Sequence, residues 1–160
     1  MQKDLIIVRF FAESVNESFA RVAVCAYAAR LNPTVRELED IRMAASEAVT
    51  NAIIHGYEQR KDALVELEMW TEEENTLAVS IRDFGVGIEN VSKAMEPFYT
   101  SKPELERSGM GFTVMCSFMD ELCVDSKVGL GTCVRMFKKI RGEGYDLKDE
   151  KNLKKVLRNA

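Results

Sequence analysis

The apolar positions of the chain fall into alternating strand-like and helix-like blocks. Leu5 to Phe11 is an almost unbroken β-rich run and predicts a strand buried on at least one face. Ser14-Val15-Asn16-Glu17 has the spacing of a capping box, and Val15, Phe19, Val22, Ala26 and Ala29 recur at helical intervals. A first helix from about Val15 to Arg30 is expected, with that set as its apolar face and Glu17 and Arg21 on its outer face. Asn32-Pro33 breaks the chain, and Thr34-Val35-Arg36-Glu37 forms a second capping box that opens a second helix. Gly56, a good C-cap residue, would close it. At about 100° per residue, Ile41, Ala45, Ala48, Val49 and Ala52 share one apolar arc centred on Ala48. Glu47 and Asn51 sit on its shoulder, roughly 60–100° away, a position suited to the wall of a cleft.

Past a polar loop from Tyr57 to Asp62, Val65, Leu67 and Met69 alternate with Glu66 and Glu68 as in a strand with one wet face. Leu77, Val79 and Ile81 repeat the pattern after the acidic turn Thr71 to Asn75, so the two runs form a hairpin. Asp83 to Gly111 is irregular and glycine-rich, a length of loop that in a compact domain signals function or disorder. A third helix is expected from Gly111, with Phe112, Met115, Phe118, Met119 and Leu122 as its apolar side. Leu122 to Asp125 and Thr132 to Lys139 then predict two closing strands around Lys127-Val128-Gly129-Leu130-Gly131. The order predicts an α+β sandwich with helices on one face of a mixed sheet. From Arg141 to Ala160 the chain is charged, with only a weak apolar set, and is expected to be an appended tail.

With 160 residues, nearly half of them apolar, one compact domain is expected. The formal net charge of −4 supplies no basic field, which argues against direct binding of nucleic acid. Four cysteines, Cys25, Cys116, Cys123 and Cys133, stand apart with no CxxC pair, as in a reducing cytoplasm. No leader of basic-then-apolar pattern and no run near ~20 apolar residues is present, so a soluble cytoplasmic protein without a membrane span is the expectation.

Candidate chemistry lies in the loops. Asp83-Phe84-Gly85-Val86-Gly87-Ile88 follows a strand directly; glycine permits close approach of a ligand to backbone, and Asp83 could accept from an exocyclic amine. Such turns also join strands for purely structural reasons. Asp83-Phe84-Gly85 also matches the DFG of eukaryotic-type protein kinases, but no N-terminal glycine-rich loop, VAIK lysine or HRD loop accompanies it. Ser108-Gly109-Met110-Gly111-Phe112 precedes a helix whose first N–H groups could hold phosphate. Between the two lie Thr100, Ser101, Lys102 and Arg107, either a solvated loop or a mobile lid able to neutralise polyphosphate. Glu47 and Asn51, read alone, could equally be a surface i,i+4 pair.

Taken together, the Glu-x-x-x-Asn helix running into Ala52-Ile53-Ile54-His55-Gly56, the Asp-x-Gly-x-Gly loop at Asp83 and the Gly-x-Gly-Phe helix start at Gly109 stand in the order of the N, G1 and G2 boxes. On these motifs the chain resembles the GHKL ATPases, the superfamily of gyrase B, Hsp90, MutL and the sensor histidine kinases. Within it, residues 16–22, 46–57 and 100–112 look like the sporulation branch of the bacterial anti-sigma factor serine kinases. The likeness spans about Leu5 to Ile140, giving a domain over residues 1–140 and a tail over 141–160 to which nothing is carried over.

The resemblance implies the Bergerat ATP-binding α/β sandwich. It implies that Asn51 ligates Mg²⁺, that Asp83 binds the adenine amino group and that Thr132 joins the water network around the ring. Gly85, Gly87, Gly109 and Gly111 would shape the nucleotide pocket, and Ser101, Lys102 and Arg107 would lie on the lid, Arg107 near the terminal phosphate. Glu47 would be the general base toward an incoming hydroxyl. By the same likeness ATP phosphorylates a serine of an anti-anti-sigma protein, a sigma factor is sequestered, and the protein is a homodimer. Glu17 and Arg21, otherwise a solvated pair worth only ~0.2–0.5 kcal/mol, would contact both partners. Two other readings stay open: a nucleotide-gated sequestering module with little kinase activity, and a histidine-kinase-like catalytic module. His55, the single histidine, is read as structural beside Gly56.

Overall fold

The computed structural model describes residues 3–57, 60, 62–97 and 109–142. Strand β1 (Lys3–Phe11) leads into helices α1 (Val15–Ala29) and α2 (Val35–Asn51), the latter prolonged by a π-helical turn (Ala52–Gly56). The hairpin β2 (Leu64–Glu72) and β3 (Thr76–Asp83) follows, then a one-turn helix α3 (Val91–Ala94), helix α4 (Gly111–Phe118), β4 (Glu121–Lys127) and β5 (Gly131–Lys139). The strands form one sheet in the order β1-β2-β3-β5-β4. The expected α+β sandwich is borne out. The sheet foreseen as mixed, however, is antiparallel at every pairing among the described residues. Parity explains this: α1 runs away from the end where β1 finishes and α2 runs back, so β2 enters antiparallel to β1.

The register sorts the strands into two faces. Val8, Leu67, Ile81, Val134 and Val124 lie across one row, with Phe10 and Val65 or Val79 and Met136 in flanking rows. These residues join the core beneath the helices. Helix α2 adds Ile41, Ala44, Ala45, Ala48 and Val49, the arc that its periodicity predicts. Each fully buried Leu67, Ile81 or Met136 contributes about 1.5–3 kcal/mol relative to exposure. On the opposite face Trp70 meets Phe137 edge-on at 6.2 Å.

Four local expectations are corrected. Helix α1 is turned over: it buries Ala20, Val24, Tyr27 and Ala28, while Val15, Phe19 and Val22 are 71%, 53% and 62% exposed. Small residues let α1 approach α2 closely, and Tyr27 Oη bonds Asp4 O at 3.0 Å and Thr71 Oγ1 at 3.1 Å; packing, not side-chain hydropathy, selected the face. Its predicted capping box does not form, because Ser14 is helical and gives no side-chain cap, and Glu17 turns to Ser46. The box of α2 does form, with Thr34 Oγ1 accepting from Glu37 N at 3.1 Å and Glu37 Oε2 from Thr34 N at 2.8 Å. Strand β1 is an edge strand with Leu5, Ile6 and Ile7 at 45%, 42% and 50% exposure, so its first half is not buried.

The fourth correction concerns boundaries. Gly56 closes no left-handed cap; its Cα faces the Asp83 carboxyl, and an added Cβ would lie 2.6 Å from Asp83 Cγ. The irregular stretch after Asp83 contains α3, capped by Asn90 Oδ1 accepting from Lys93 N at 2.9 Å. Helix α4 stops at Phe118, so Met119 lies beyond it and Leu122 belongs to β4. The tail from residue 143 onward lies outside the described residues.

Candidate nucleotide-binding cleft

One end of the sandwich gathers the C-terminal ends of α2 and β3, the N-terminus of α4 and the β4–β5 turn, because the chain reverses there at each of these elements. Between them opens a cleft of about 760 Å³, lined among others by Asn51, His55, Asp83, Gly87, Gly109 and Thr132. That volume falls in the range of about 300–1,000 Å³ usual for small-molecule sites.

Asp83 forms its floor. The register sets Asp83 opposite Thr132 and Thr132 opposite Ser126, so all three extend the helix-facing rows beyond the core. Asp83 is 4% exposed. Its Oδ1 accepts from Gly85 N at 3.0 Å and Thr132 N at 3.3 Å. Both of these hydrogen bonds end on Oδ1, so Oδ2 accepts from neither and can face a ligand donor. Burial outweighs these bonds and pushes the carboxyl up to about 6.

The loop after Asp83 is clamped by close backbone contacts. Val86 N donates to Gly56 O at 2.9 Å, and Gly129 N to Val86 O at 2.8 Å. A Cβ on Gly85 would enter the van der Waals sphere of Gly56 O, and Gly87 takes a φ of +73° against Lys127 O. Tyr57 Oη accepts from Phe84 N at 2.7 Å and donates to Leu64 O; burial raises the phenol above its ordinary range.

At the other end of the cleft Glu47 and Asn51 converge on the first residue of α4. A Cβ on Gly111 would stand 3.2 Å from Glu47 Oε2 and 3.2 Å from Asn51 Nδ2. The shoulder pair of α2 thus faces a helix N-terminus across a glycine, with Gly109 at φ +63° just before it. Asn51, Asp83, Gly87, Gly109, Gly111 and Thr132 all line the cleft, and Gly85 lies beneath it. His55, read as structural, lines it too. Ser101, Lys102 and Arg107 lie outside the described residues.

Glu17 and Arg21 are away from the cleft. They are half-buried against α2 and not on an outer face: Glu17 Oε1 accepts from Ser46 Oγ at 2.5 Å, and Arg21 lies 3.4 Å from it. Sequence reasoning missed Gly56, Tyr57, Ser126 and Gly131. The two glycines were visible, one as a cap and one in a turn, but their approach to Asp83 is set by the fold.

The chain matches the family described as Histidine kinase-like ATPase domain over residues 11–138. It is 54% identical over 139 residues to the Anti-sigma F factor of Clostridium beijerinckii, covering 87% of this chain and 96% of the relative. The Anti-sigma F factor of Clostridium perfringens strain SM101 is 55% identical over 135 residues, covering 83% and 94%. Among solved structures, the RsbU and RsbW domains of a Mycobacterium tuberculosis protein superpose with a TM-score of 0.63 at 15% identity, over 86% of this chain and 33% of that one. A histidine kinase domain from Erythrobacter litoralis EL346 gives 0.51 at 24%, over 66% and 46%. The chain thus spans less than half of either solved chain, and these two likenesses show the fold. Within the histidine kinase-like ATPases, the chain belongs to the anti-sigma F factor family.

Proposed function

We propose that this protein sequesters a sporulation sigma factor in a nucleotide-dependent way and phosphorylates a serine of an anti-anti-sigma partner at the expense of ATP. The observation that carries the reading is one cleft lined by a buried carboxylate at one end and by Asn51 and the N-terminus of α4 at the other, with Glu47 against Gly111 beside that lining. Asp83 and Thr132 hold the base, Gly85 and Gly87 keep the loop tight beneath it, and the backbone of Gly109 and Gly111 takes the phosphates. Among the described residues no group of three or more His, Cys, Asp or Glu could hold a metal by itself. The amide oxygen of Asn51 suits Mg²⁺, which takes few protein ligands and fills its sphere from phosphate and water. The ion would neutralise phosphate charge, and Glu47 takes the proton of the acceptor serine; Ser101, Lys102 and Arg107, outside the described residues, are assigned to binding the nucleotide by the resemblance alone.

Glu17 and Arg21 contribute to partner docking: Glu17 accepts from Ser46, the residue next to Glu47, and pairs with Arg21. A homodimer would cover the apolar edge of β1 at Leu5, Ile6 and Ile7 together with Val15, Phe19 and Val22 of α1. Residues 1–140 form the nucleotide-binding unit. The start of the 141–160 tail is held by Glu37, which accepts from Arg141 N at 2.8 Å and Gly142 N at 3.3 Å. No helix among the described residues is long and apolar enough to cross a membrane.

The test is incubation with labelled ATP, Mg²⁺ and an anti-anti-sigma protein. Acid-stable phosphoserine is expected, and Glu47→Ala should abolish it while nucleotide and sigma binding persist. Unchanged turnover in Glu47→Ala removes Glu47 as base. Acid-labile phosphohistidine would favour the histidine-kinase-like reading, and sigma capture without any transfer would leave a sequestering module alone.

A further inference from the structure

We infer that Ser126 is a positioning residue that fixes which way the Thr132 hydroxyl points, and that it thereby sets the choice of base in the cleft. The inference rests on the reading of the cleft as an ATP site. Ser126 Oγ has one proton and two lone pairs. It accepts from Ile88 N at 2.8 Å, contacts Gly131 O at 3.1 Å and contacts Thr132 Oγ1 at 2.8 Å. A carbonyl oxygen only accepts, so the Gly131 contact is a hydrogen bond only when Ser126 spends its proton there. Thr132 must then donate to the remaining lone pair of Ser126. All three contacts are satisfied by this one arrangement.

The consequence reaches the ligand. With its proton committed to Ser126, Thr132 Oγ1 offers only lone pairs to the cleft. Its neighbour Asp83, whose Oδ1 accepts from Thr132 N at 3.3 Å, also accepts only, when ionised. The base-recognition corner is therefore acceptor-only. It suits an exocyclic amine with two N–H bonds, and it opposes a carbonyl oxygen in the same place. Adenine carries the amine; hypoxanthine carries the carbonyl.

The experiment compares ATP with inosine triphosphate by calorimetry on the full chain. The intact protein should favour ATP strongly. In Ser126→Ala, Thr132 loses its acceptor and can turn its proton into the cleft, so the ATP-to-inosine-triphosphate affinity ratio should fall by up to about tenfold, one net hydrogen bond. Ser126→Thr should restore it. Loosening of the Ile88 loop alone would weaken both nucleotides equally, so an unchanged ratio overturns the inference, whether or not overall affinity drops. Thr132→Val supplies a second route if Ser126→Ala folds poorly: it should lower the ratio by itself, and an unaltered ratio there also overturns the inference. Failure of the intact protein to bind ATP would instead overturn the reading of the cleft, and this inference with it.

Discussion

Asp83→Asn should stabilise the nucleotide-free protein while weakening ATP binding. The carboxyl rises from an ordinary 3.8 to about 6 because burial outweighs the hydrogen bonds from Gly85 and Thr132 that favour its ionised form. The folded chain therefore holds this proton more tightly than the unfolded chain does. Between pH 3.8 and about 6 the native state carries more protons, so stability falls as pH rises through that window and the cost is complete above it. At about 1.4 kcal/mol per pH unit, ionised Asp83 costs the empty protein about 3 kcal/mol. An Asn oxygen in place of Oδ1 keeps the Gly85 and Thr132 bonds and removes the charge. Urea unfolding at pH 7.5 should show Asp83→Asn to be more stable by up to about 3 kcal/mol, or about 6–12 °C in Tm for a chain of this size. At pH 4 the two proteins should converge. ATP affinity measured by calorimetry should move the other way, because an amide N–H₂ replaces the acceptor proposed to meet the adenine amine. A variant less stable than the parent at pH 7.5, with the same pH slope, would refute the account of Asp83 as an uncompensated buried charge. Equal ATP affinity would remove Asp83 from the base site.

Gly85→Ala should cost about 3 kcal/mol or more and abolish nucleotide binding, because its Cβ meets the backbone of Gly56; Gly129→Ala, at φ +77° with nothing within 4 Å, should cost only about 1 kcal/mol. Near-equal denaturation midpoints would refute the clamp. Thr34→Ala should lose about 1 kcal/mol from the α2 cap. Glu37→Ala should lose more, since Glu37 also holds Arg141 and Gly142. Burial would raise the Glu37 carboxyl, but the amides of Arg141 and Thr34 hold it below its ordinary 4.5, so its contribution is full above that pH and fades as acid protonates it. A Glu37→Ala penalty that persists undiminished at pH 3 would contradict this. For the proposed homodimer, Ile7→Lys should shift sedimentation from dimer to monomer with little change in monomer stability, because Ile7 is half-exposed; a dimer unaltered by the substitution would move the interface elsewhere, and a monomeric parent would refute the dimer.

Several features were legible in the residues themselves. The arc of α2, its Thr34–Glu37 box, the β2–β3 hairpin and the order of elements depend on neighbours within a few positions, and local periodicity and hydrogen bonding suffice to set them. The shoulder placement of Glu47 and Asn51 is equally local, being a property of one helix. The face of α1 was misread because its largest apolar side chains are not those the packing buries: Ala20, Val24 and Ala28 fit against α2, and Phe19 and Val22 do not.

Only the tertiary structure brought Glu47 and Asn51 to Gly111, 60 residues or more along the chain, and aligned Asp83, Thr132 and Ser126 in one row. Strand register and the near contact of Gly56, Gly85 and Gly131 with Asp83 or its neighbours depend on which segments meet, and that is decided by burying the whole core at once. The sequence thus determined which residues could do chemistry and on which elements they sit. The fold decided which of them share a cleft, which carboxylate is desolvated, and which hydroxyl can turn toward a ligand.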